Sequence, residues 1–431
     1  MKVAYHSPMP PERSGIADYS ALLLPSLRER ADVQVIRRGR GRQARGADLA
    51  VYHIGNNPEA HGWIVEALRR RPGIVVLHDF VLHHLVAGLT IGRRDGHGYL
   101  DAMEREGGVV GRLLGHGVLD KRIPPLWESR PADFHLAGEV LDLATGLIVH
   151  SHYVERKARE AGYERRIWRI PHPAWQPPPE LCVAASQASA SGASASGASA
   201  SRDSTGSYLV GCFGNVNASK RIPQLLEAFA RLRRDRPDAR LLLVGATSPG
   251  FDLDRRLQRL GLSADGIVRE GYVSESRLWS LLAGCDACVN LRAPTMGETS
   301  GSAIRQLSLG KPLVVSDVGW FSELPDNVAL KVPVDEHEVD TLHAALELLA
   351  QNDVVRHSMG VAAAELARRE HDLERVAELY ATVFEQAAGG EAVADAVLGE
   401  VAAAARAVGI EAGSPEATDL AQRLAEVELG R

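Results

Sequence analysis

Short apolar runs of four to six residues recur along the chain, and between them apolar positions return every three or four residues. In the first half the runs Val3–His6, Val33–Ile36, Leu49–His53, Ile74–His78, Gly146–His150 and Ile167–Pro171 read as strands, with helices such as Tyr19–Arg30 and Trp63–Arg71 between them. The pattern restarts at Tyr208–Phe213 and continues through Leu241–Gly245, Ile267–Glu270, Ala287–Leu291, Leu313–Ser316 and Ala329–Val332. Continuous apolar strands alternating with helical periods predict α/β architecture with parallel sheets covered on both faces. Between the halves, Ala184–Ser207 is almost wholly Ala, Ser and Gly. Such a stretch has nothing to bury and predicts a flexible linker. The expected organisation is therefore a Rossmann-like domain over 1–180, a linker over 181–207, a second Rossmann-like domain over 208–372, and a helical end over 373–431. That end divides into the helix Leu373–Ala388 and an Ala-rich accessory tail interrupted at Gly409–Pro415.

Composition narrows the class without deciding it. Of 431 residues, 45% are apolar and 24% charged, enough for two cores in a soluble protein. A net charge of −6 argues against a nucleic-acid binder. The first half is nevertheless net basic, with clusters at Arg37, Arg38, Arg40, Arg42 and Arg45 and at Arg69–Arg71. These read as a solvated face, or as a contact for anionic lipid headgroups or an anionic acceptor. Four cysteines are too few for a disulfide framework. Cys285 and Cys288 form a C-x-x-C, but no second pair completes a zinc site and an apolar strand follows, so structural thiols are expected. MKVAYHSPMP reads as a strand and a Pro-rich turn, not a charged leader. The apolar window Gly73–Ile91 is broken by His78, Asp79, His83 and His84, which disfavours a membrane span. A reducing cytoplasm is the expected location.

The chemistry concentrates in residues 290–325. Glu298 precedes the small-residue loop Thr299, Ser300, Gly301 and Ser302, which opens a helix ending at Gly310; the strand Pro312–Val315 follows. A helix N-terminus presents unpaired N–H groups and a partial positive charge, so the amides of Ser300, Gly301, Ser302 and Ala303 suit a phosphate. The adjacent carboxylate can accept from sugar hydroxyls, and the two together suggest a nucleotide sugar. At the start of the second half, Gly211, Phe213, Gly214 and Asn215 lead to Lys220–Arg221. A cation just past a strand can neutralise a departing diphosphate without a metal. Arg292 stands one residue past another strand and is expected at the same edge.

In the first half, Ser14 and Gly15 open a helix after a Pro-rich loop, and Gly15 permits close backbone approach to a ligand. Two predicted strand ends carry polar groups where ligands of parallel sheets gather: His53 with Asn56 and Asn57, and His78–Asp79 followed by His83 and His84. His78 ranks first among these and is expected to be catalytic, as are Glu298 and Lys220; Asp79, then His53 and His83, follow as sugar-side or acceptor-side groups, with Asn56 and Arg292. Asp252-Leu-Asp254 has the form of a metal-binding D-x-D but reads as a helix cap before a basic turn. No zinc-protease motif, nucleophile elbow, Walker A loop or G-x-G-x-x-G fingerprint is present, which disfavours a flavin or nicotinamide oxidoreductase.

These motifs resemble the donor-binding signature of the retaining glycosyltransferases of family 4, which have the GT-B fold. Members carry E-x7-E, a G-x-P-V-V strand and a later Glu, matched by Glu298, by Gly310, Pro312, Val314 and Val315, and by Glu323. The second Glu falls on Gln306. The family's G-R-x(5)-K-G element is matched at Lys220, with Asn215 in the place of its arginine and Arg221 in the place of its glycine. The G-G-I/V-A loop is matched around Gly15, with Ser14 at the first glycine. The resemblance implies two Rossmann-like domains facing an interdomain cleft, with a C-terminal helix, here Leu373–Ala388, crossing back to the first. It implies a metal-independent, cofactor-free retaining glycosyltransferase whose substrate is a nucleoside diphosphate sugar. Lys220, Arg221, Gly214, Gly15 and the loop amides would hold the diphosphate; Glu298 would hold the sugar; Gln306 and Glu323 would lie on the nucleotide side. A glycan or lipid-linked acceptor in bacterial polysaccharide or glycolipid assembly is implied, with peripheral contact at the inner membrane face. The same pocket would serve a sugar-nucleotide epimerase, and the departures at Gln306 and Asn215 fit a scaffold without turnover.

Overall fold

In a computed structural model, the described residues are 1–12, 14–39, 46–181, 207–262, 265–388, 391–411 and 413–426. The predicted linker, apart from its first and last residues, and Arg40, Arg42 and Arg45 of the basic cluster lie outside them. The chain divides into two compact units: 1–171 with 296–298 and 373–431, and 172–295 with 299–372.

The first unit runs β1 (Lys2–His6), α1 (Gly15–Arg28), β2 (Asp32–Ile36), β3 (Leu49–Ile54), α2 (Pro58–Arg70), β4 (Gly73–Leu77), α3 (His83–Leu89), α4 (Gly96–Leu119), α5 (Leu126–Ser129), α6 (Gly138–Leu143), β5 (Ala144–Val149), α7 (His152–Glu160) and β6 (Ile167–Arg169). Its sheet is parallel, in the order β2-β1-β3-β4-β5-β6. Strands β3 and β4 are buried at every residue, which is why they read as unbroken apolar runs. Helix boundaries follow local chemistry: Ser14 Oγ accepts from Ile16 N at the start of α1, and Asn57 Oδ1 accepts from Ala60 N with Pro58 as the first residue of α2.

The second unit runs β7 (Leu209–Phe213), α8 (Ile222–Asp235), β8 (Arg240–Val244), α9 (Leu253–Arg259), β9 (Ile267–Glu270), α10 (Glu275–Gly284), β10 (Ala287–Asn290), α11 (Gly301–Ser308), β11 (Leu313–Ser316), β12 (Ala329–Val332), α12 (Glu338–Gln351) and α13 (Asp353–Glu370). Its parallel sheet has the order β12-β11-β10-β7-β8-β9, the doubly wound Rossmann order. Asp252 caps α9 by accepting from Arg255 N, as its position before a basic turn predicted. Cys212, Cys285 and Cys288 are buried free thiols, and burial raises the Cys288 pKa.

The closing helix α14 (Leu373–Ala388) lies against α1, burying Val376, Tyr380, Val383 and Phe384; Tyr19 and Tyr380 share a 2.7 Å hydroxyl hydrogen bond. It is followed by α15 (Glu391–Ala407) and α16 (Pro415–Glu426). Ion pairs Arg165–Glu400 and Arg406–Glu164 fasten α15 to the first unit. Among the described residues, no helix is long and apolar enough to cross a membrane, and no group of three or more His, Cys, Asp or Glu is placed to hold a metal ion.

Candidate functional site

Each sheet has one point where the strand order reverses, and loops leaving the carboxyl ends on either side of it form a natural ligand crevice. In the second unit the reversal lies between β7 and β10. The loop after β7 carries Gly214 and Lys220; the loop after β10 leads from Arg292 towards α11. They meet at a backbone hydrogen bond from Ala293 N to Ser219 O, 2.9 Å. Gly214 has φ 109°, and its backbone is so close to the next loop that a Cβ on Gly245 would run into the Gly214 carbonyl oxygen. The Lys220 ammonium lies over Gly214, 3.3 Å from where a Cβ there would sit. Asn217 accepts from Lys220 N at 3.0 Å and holds that turn.

Helix α11 begins against the same edge. Ser300 is its N-cap, its hydroxyl accepting from Ala303 N at 3.3 Å. This corrects the expected set of phosphate amides: Ala303 gives its N–H to the cap, leaving Gly301 and Ser302 as the first-turn amides at the helix entrance. Thr299 Oγ1, in the loop before them, is buried without a hydrogen-bond partner. Trp175 covers Gly301, and the Arg305 guanidinium stacks on its ring at 3.4 Å. Nothing in the sequence pattern marked Trp175; it lies in a Pro-rich segment with no motif around it.

Two expected diphosphate or nucleotide contacts have other employment. Arg221 does not restore a phosphate charge: its Nε donates to Glu338 Oε1 at 2.8 Å, Glu338 is buried, and the guanidinium pairs with both carboxylate oxygens. That pairing raises the Arg221 pKa. Gln306 is fully buried, and its Oε1 accepts from Asn290 Nδ2, whose Oδ1 accepts from Ser302 Oγ at 3.2 Å. It braces the loop from beneath and presents no surface to a nucleotide. Glu323 is exposed at the end of a short 3-10 turn, Gly319–Glu323, and Gly319 packs on Thr295. Arg292 is half-buried, its N–H donating to Ser316 Oγ at 2.9 Å.

Glu298 belongs by contact to the first unit, with Met296 and Gly297. Met296 O accepts from Phe80 N and Val81 N at 2.7 and 2.9 Å, and Gly297 (φ 86°) packs on Phe80 and Val154. Glu298 Oε2 accepts from Met296 N at 2.7 Å, a short loop that fixes the carboxylate.

In the first unit the order reverses between β1 and β3. Gly15 starts α1 in open space, so its lack of a Cβ leaves room above the helix entrance. Gly55 is forced by crowding: a Cβ would strike Ile16 and press on Asp79 and His61. Asp79 Oδ2 accepts from Asn56 N at 2.7 Å, and Asn56 Oδ1 accepts from Leu85 N at 3.1 Å. The Asn56 side-chain oxygen is therefore committed to the first turn of α3. His83 is likewise corrected. Fully buried, it donates from Nδ1 to Phe134 O at 2.9 Å and bonds Tyr99 Oη through Nε2 at 2.9 Å, and burial lowers its pKa to about 4. It is a satisfied core histidine.

His53 and His78 do come together, with His53 Nδ1 and His78 Nε2 3.0 Å apart. His78 is 8% exposed, one residue past β4, while His53 is fully buried within β3. His150, one residue past β5, stands beside them with its ring centroid 5.0 Å from that of His78. It carries no expected role; only its place at a predicted strand end could have marked it.

Comparison with known proteins adds to this geometry. Residues 207–352 match the family model described as Glycosyl transferases group 1. An alpha-D-kanosaminyltransferase of Streptomyces kanamyceticus is 23% identical over 174 residues, 40% of this chain; the match spans 44% of that relative, less than half its length. Among solved structures, sucrose-phosphate synthase from Thermosynechococcus elongatus has a TM-score of 0.61 at 16% identity, covering 90% of this chain and 98% of its own. Anabaena HepE, solved with UDP and glucose, has a TM-score of 0.58 at 16% identity, covering 90% and 100%. WaaG, a glycosyltransferase involved in lipopolysaccharide biosynthesis, has a TM-score of 0.56 at 14% identity, covering 88% and 99%. At these identities the structural likeness is one of fold. The chain has two parallel-sheet Rossmann-like domains of GT-B architecture, and its second unit carries the glycosyl transferases group 1 match.

Proposed function

We propose that the protein is a glycosyltransferase that moves a sugar from a nucleoside diphosphate sugar to a hydroxyl acceptor. The observation that carries this reading is the pairing, at the reversal point of the second sheet, of the Gly214–Lys220 turn with the entrance of α11, inside the region matching glycosyl transferases group 1. A fixed ammonium and helix-start amides are what a departing diphosphate requires. The anomeric carbon–oxygen bond to the diphosphate breaks, the acceptor oxygen takes its place, and the acceptor proton leaves with the diphosphate. Lys220, Gly301 and Ser302 are assigned to the diphosphate, with Gly214 giving close backbone approach. Glu298 is assigned to the sugar hydroxyls, Glu323 to the nucleotide and His78 to an oxygen of the sugar or acceptor.

The finer reading is a family 4 enzyme acting with retention and without a metal, in which the diphosphate leaves from the face the acceptor enters. Its setting would be bacterial polysaccharide or glycolipid assembly in the cytoplasm, with the basic first half resting on anionic lipid. The relatives support that setting by analogy: HepE was solved with UDP, and WaaG acts in lipopolysaccharide biosynthesis.

The test is thermal stabilisation by a panel of nucleoside diphosphate sugars, followed by product analysis with hydroxyl acceptors. Lys220→Ala is expected to lower transfer at least about tenfold and to weaken donor stabilisation. Equal transfer by wild type and Lys220→Ala would refute the assignment. Binding without transfer to any acceptor would make the chain a donor-binding scaffold, and an epimer formed without acceptor would make it an epimerase.

A further inference from the structure

We infer that Glu106, on helix α4 and remote in sequence from the donor loop, is a positioning residue that sets the place of the Glu298 carboxylate through one continuous run of hydrogen bonds. The inference deepens the proposed reading and rests on it only for the role of Glu298 toward the sugar.

The run begins beside the break in α4. Gly107 carries no side chain there, and a Cβ on it would press into the Phe134 ring. Phe134 can therefore reach the helix, which lays the turn after it on the Glu106 carboxylate. Oε1 accepts from His135 N, and Oε2 accepts from Leu136 N at 2.7 Å. Leu136 is buried at φ 51°, a left-handed backbone that a leucine adopts only where its surroundings impose it. One carboxylate thus satisfies two consecutive amides and pins an unfavourable turn. Without it, both N–H groups would lose their acceptor.

From that turn the bonds continue to the donor loop. Leu82 N donates to His135 O at 2.6 Å, and His83 Nδ1 donates to Phe134 O at 2.9 Å. The Phe80 ring lies against that of His135, with centroids 4.7 Å apart. Phe80 N and Val81 N donate to Met296 O, and Met296 N donates to Glu298 Oε2 at 2.7 Å. Gly297 leaves no room for a Cβ beside Phe80. Every residue in the run belongs to the first unit. Shifting the 134–136 turn therefore shifts 80–82, and with them the loop that carries Glu298. Close-packed, hydrogen-bonded links have little slack in which to absorb such a displacement.

The test compares full-length wild type with Glu106→Gln and Arg105→Ala at pH 8, above the value of about 7 to which burial raises the Glu106 carboxyl. Glutamine keeps the shape but turns an amide N–H toward one of the two backbone donors. Arg105 precedes Glu106 on α4 and pairs with Asp142. Followed by hydrogen exchange, Glu106→Gln is expected to speed peptides covering 80–82 and 296–298 at least about fivefold, with β7 and β10 at the wild-type rate. Arg105→Ala should leave 296–298 unchanged. In a transfer assay, Glu106→Gln should lower kcat about tenfold with donor KM within about twofold. A folded Glu106→Gln with wild-type exchange at 296–298, or with wild-type kcat in a preparation that transfers, overturns the inference. So does an equal acceleration of 296–298 in Arg105→Ala, which would make the effect one of α4 as a whole. If Glu106→Gln does not fold, wild-type exchange in urea below the unfolding transition decides. Residues 80–82, 135–136 and 296–298 are expected to open together, and opening of 296–298 at lower urea than 135–136 overturns the inference. A wild type without transferase activity would count against the proposed function alone, with the exchange results standing.

Discussion

Lys220 and Arg221 are adjacent in sequence, and their side chains have different work. Lys220 lies over a glycine that leaves it room; Arg221, at φ 52° and at the entrance of α8, is turned into a clamp on the first residue of α12. Removing one partner of a buried ion pair is costly because the other charge is left without compensation. Glu338 is 2% exposed, but the Arg221 side chain is 23% exposed, so water can take up part of the loss. Arg221→Met is expected to lower stability by about 2 kcal/mol while leaving donor affinity within about twofold. Urea denaturation and donor titration check the two halves of that statement separately. A loss of donor affinity as large as that of Lys220→Ala, with stability unchanged, would return Arg221 to the diphosphate. The pairing was illegible in sequence because it joins residues 117 positions apart. Gln306 was misread for the same reason: its role is set by Asn290 on a neighbouring strand, and a motif gives the position of a side chain without its partner.

At the scale of elements the reading was better, because a strand buried on both faces needs no partner to be recognised. All twelve predicted strands are present, with ends displaced by at most two residues. His78 and His150 fall just outside theirs, which puts them in the carboxyl-edge loops where function gathers. Helix α4 was not anticipated. Its sequence carries seven glycines, and at Gly108 the backbone leaves helical geometry (φ 56°, ψ −146°), so no single period runs through it. Helix α8 is the opposite case. Ile222, Leu225, Leu226, Phe229 and Leu232 form one buried stripe, and the helix packs beside α12 over the strand that precedes the Lys220 turn. Phe229 is fully buried, so Phe229→Ala should cost about 3–5 kcal/mol. Chemical denaturation of the variant checks this. A cost below about 1 kcal/mol would mean the stripe is not the core contact described here.

Across the whole molecule, buried histidines are distributed unevenly, and that has a consequence for pH. In the first unit burial lowers His6, His61, His83 and His135 to about 4 and His53 well below its ordinary value. In the second unit His371 shifts the same way. A base whose folded pKa is depressed binds its proton more readily when unfolded. Stability from such groups is complete above the unfolded value near 6.5 and is lost as pH falls towards 4. Each can contribute up to about 1.4 kcal/mol per pH unit within that window, less where the chain relaxes to admit water. Glu106 opposes them: burial raises it to about 7, so its contribution is present below its unfolded value and is lost as pH rises through 7. One carboxyl against five histidines leaves the sum with the histidines. The first unit should therefore lose stability steeply between pH 6.5 and 4, and the second less steeply over the same range. Urea midpoints at pH 7.5, 6 and 5, followed by hydrogen exchange in β3 and β4 against β10 and β11, measure both slopes. Equal slopes in the two units, or a midpoint that rises on acidification, would mean that the histidines along the first sheet are already protonated or already wet in the native state.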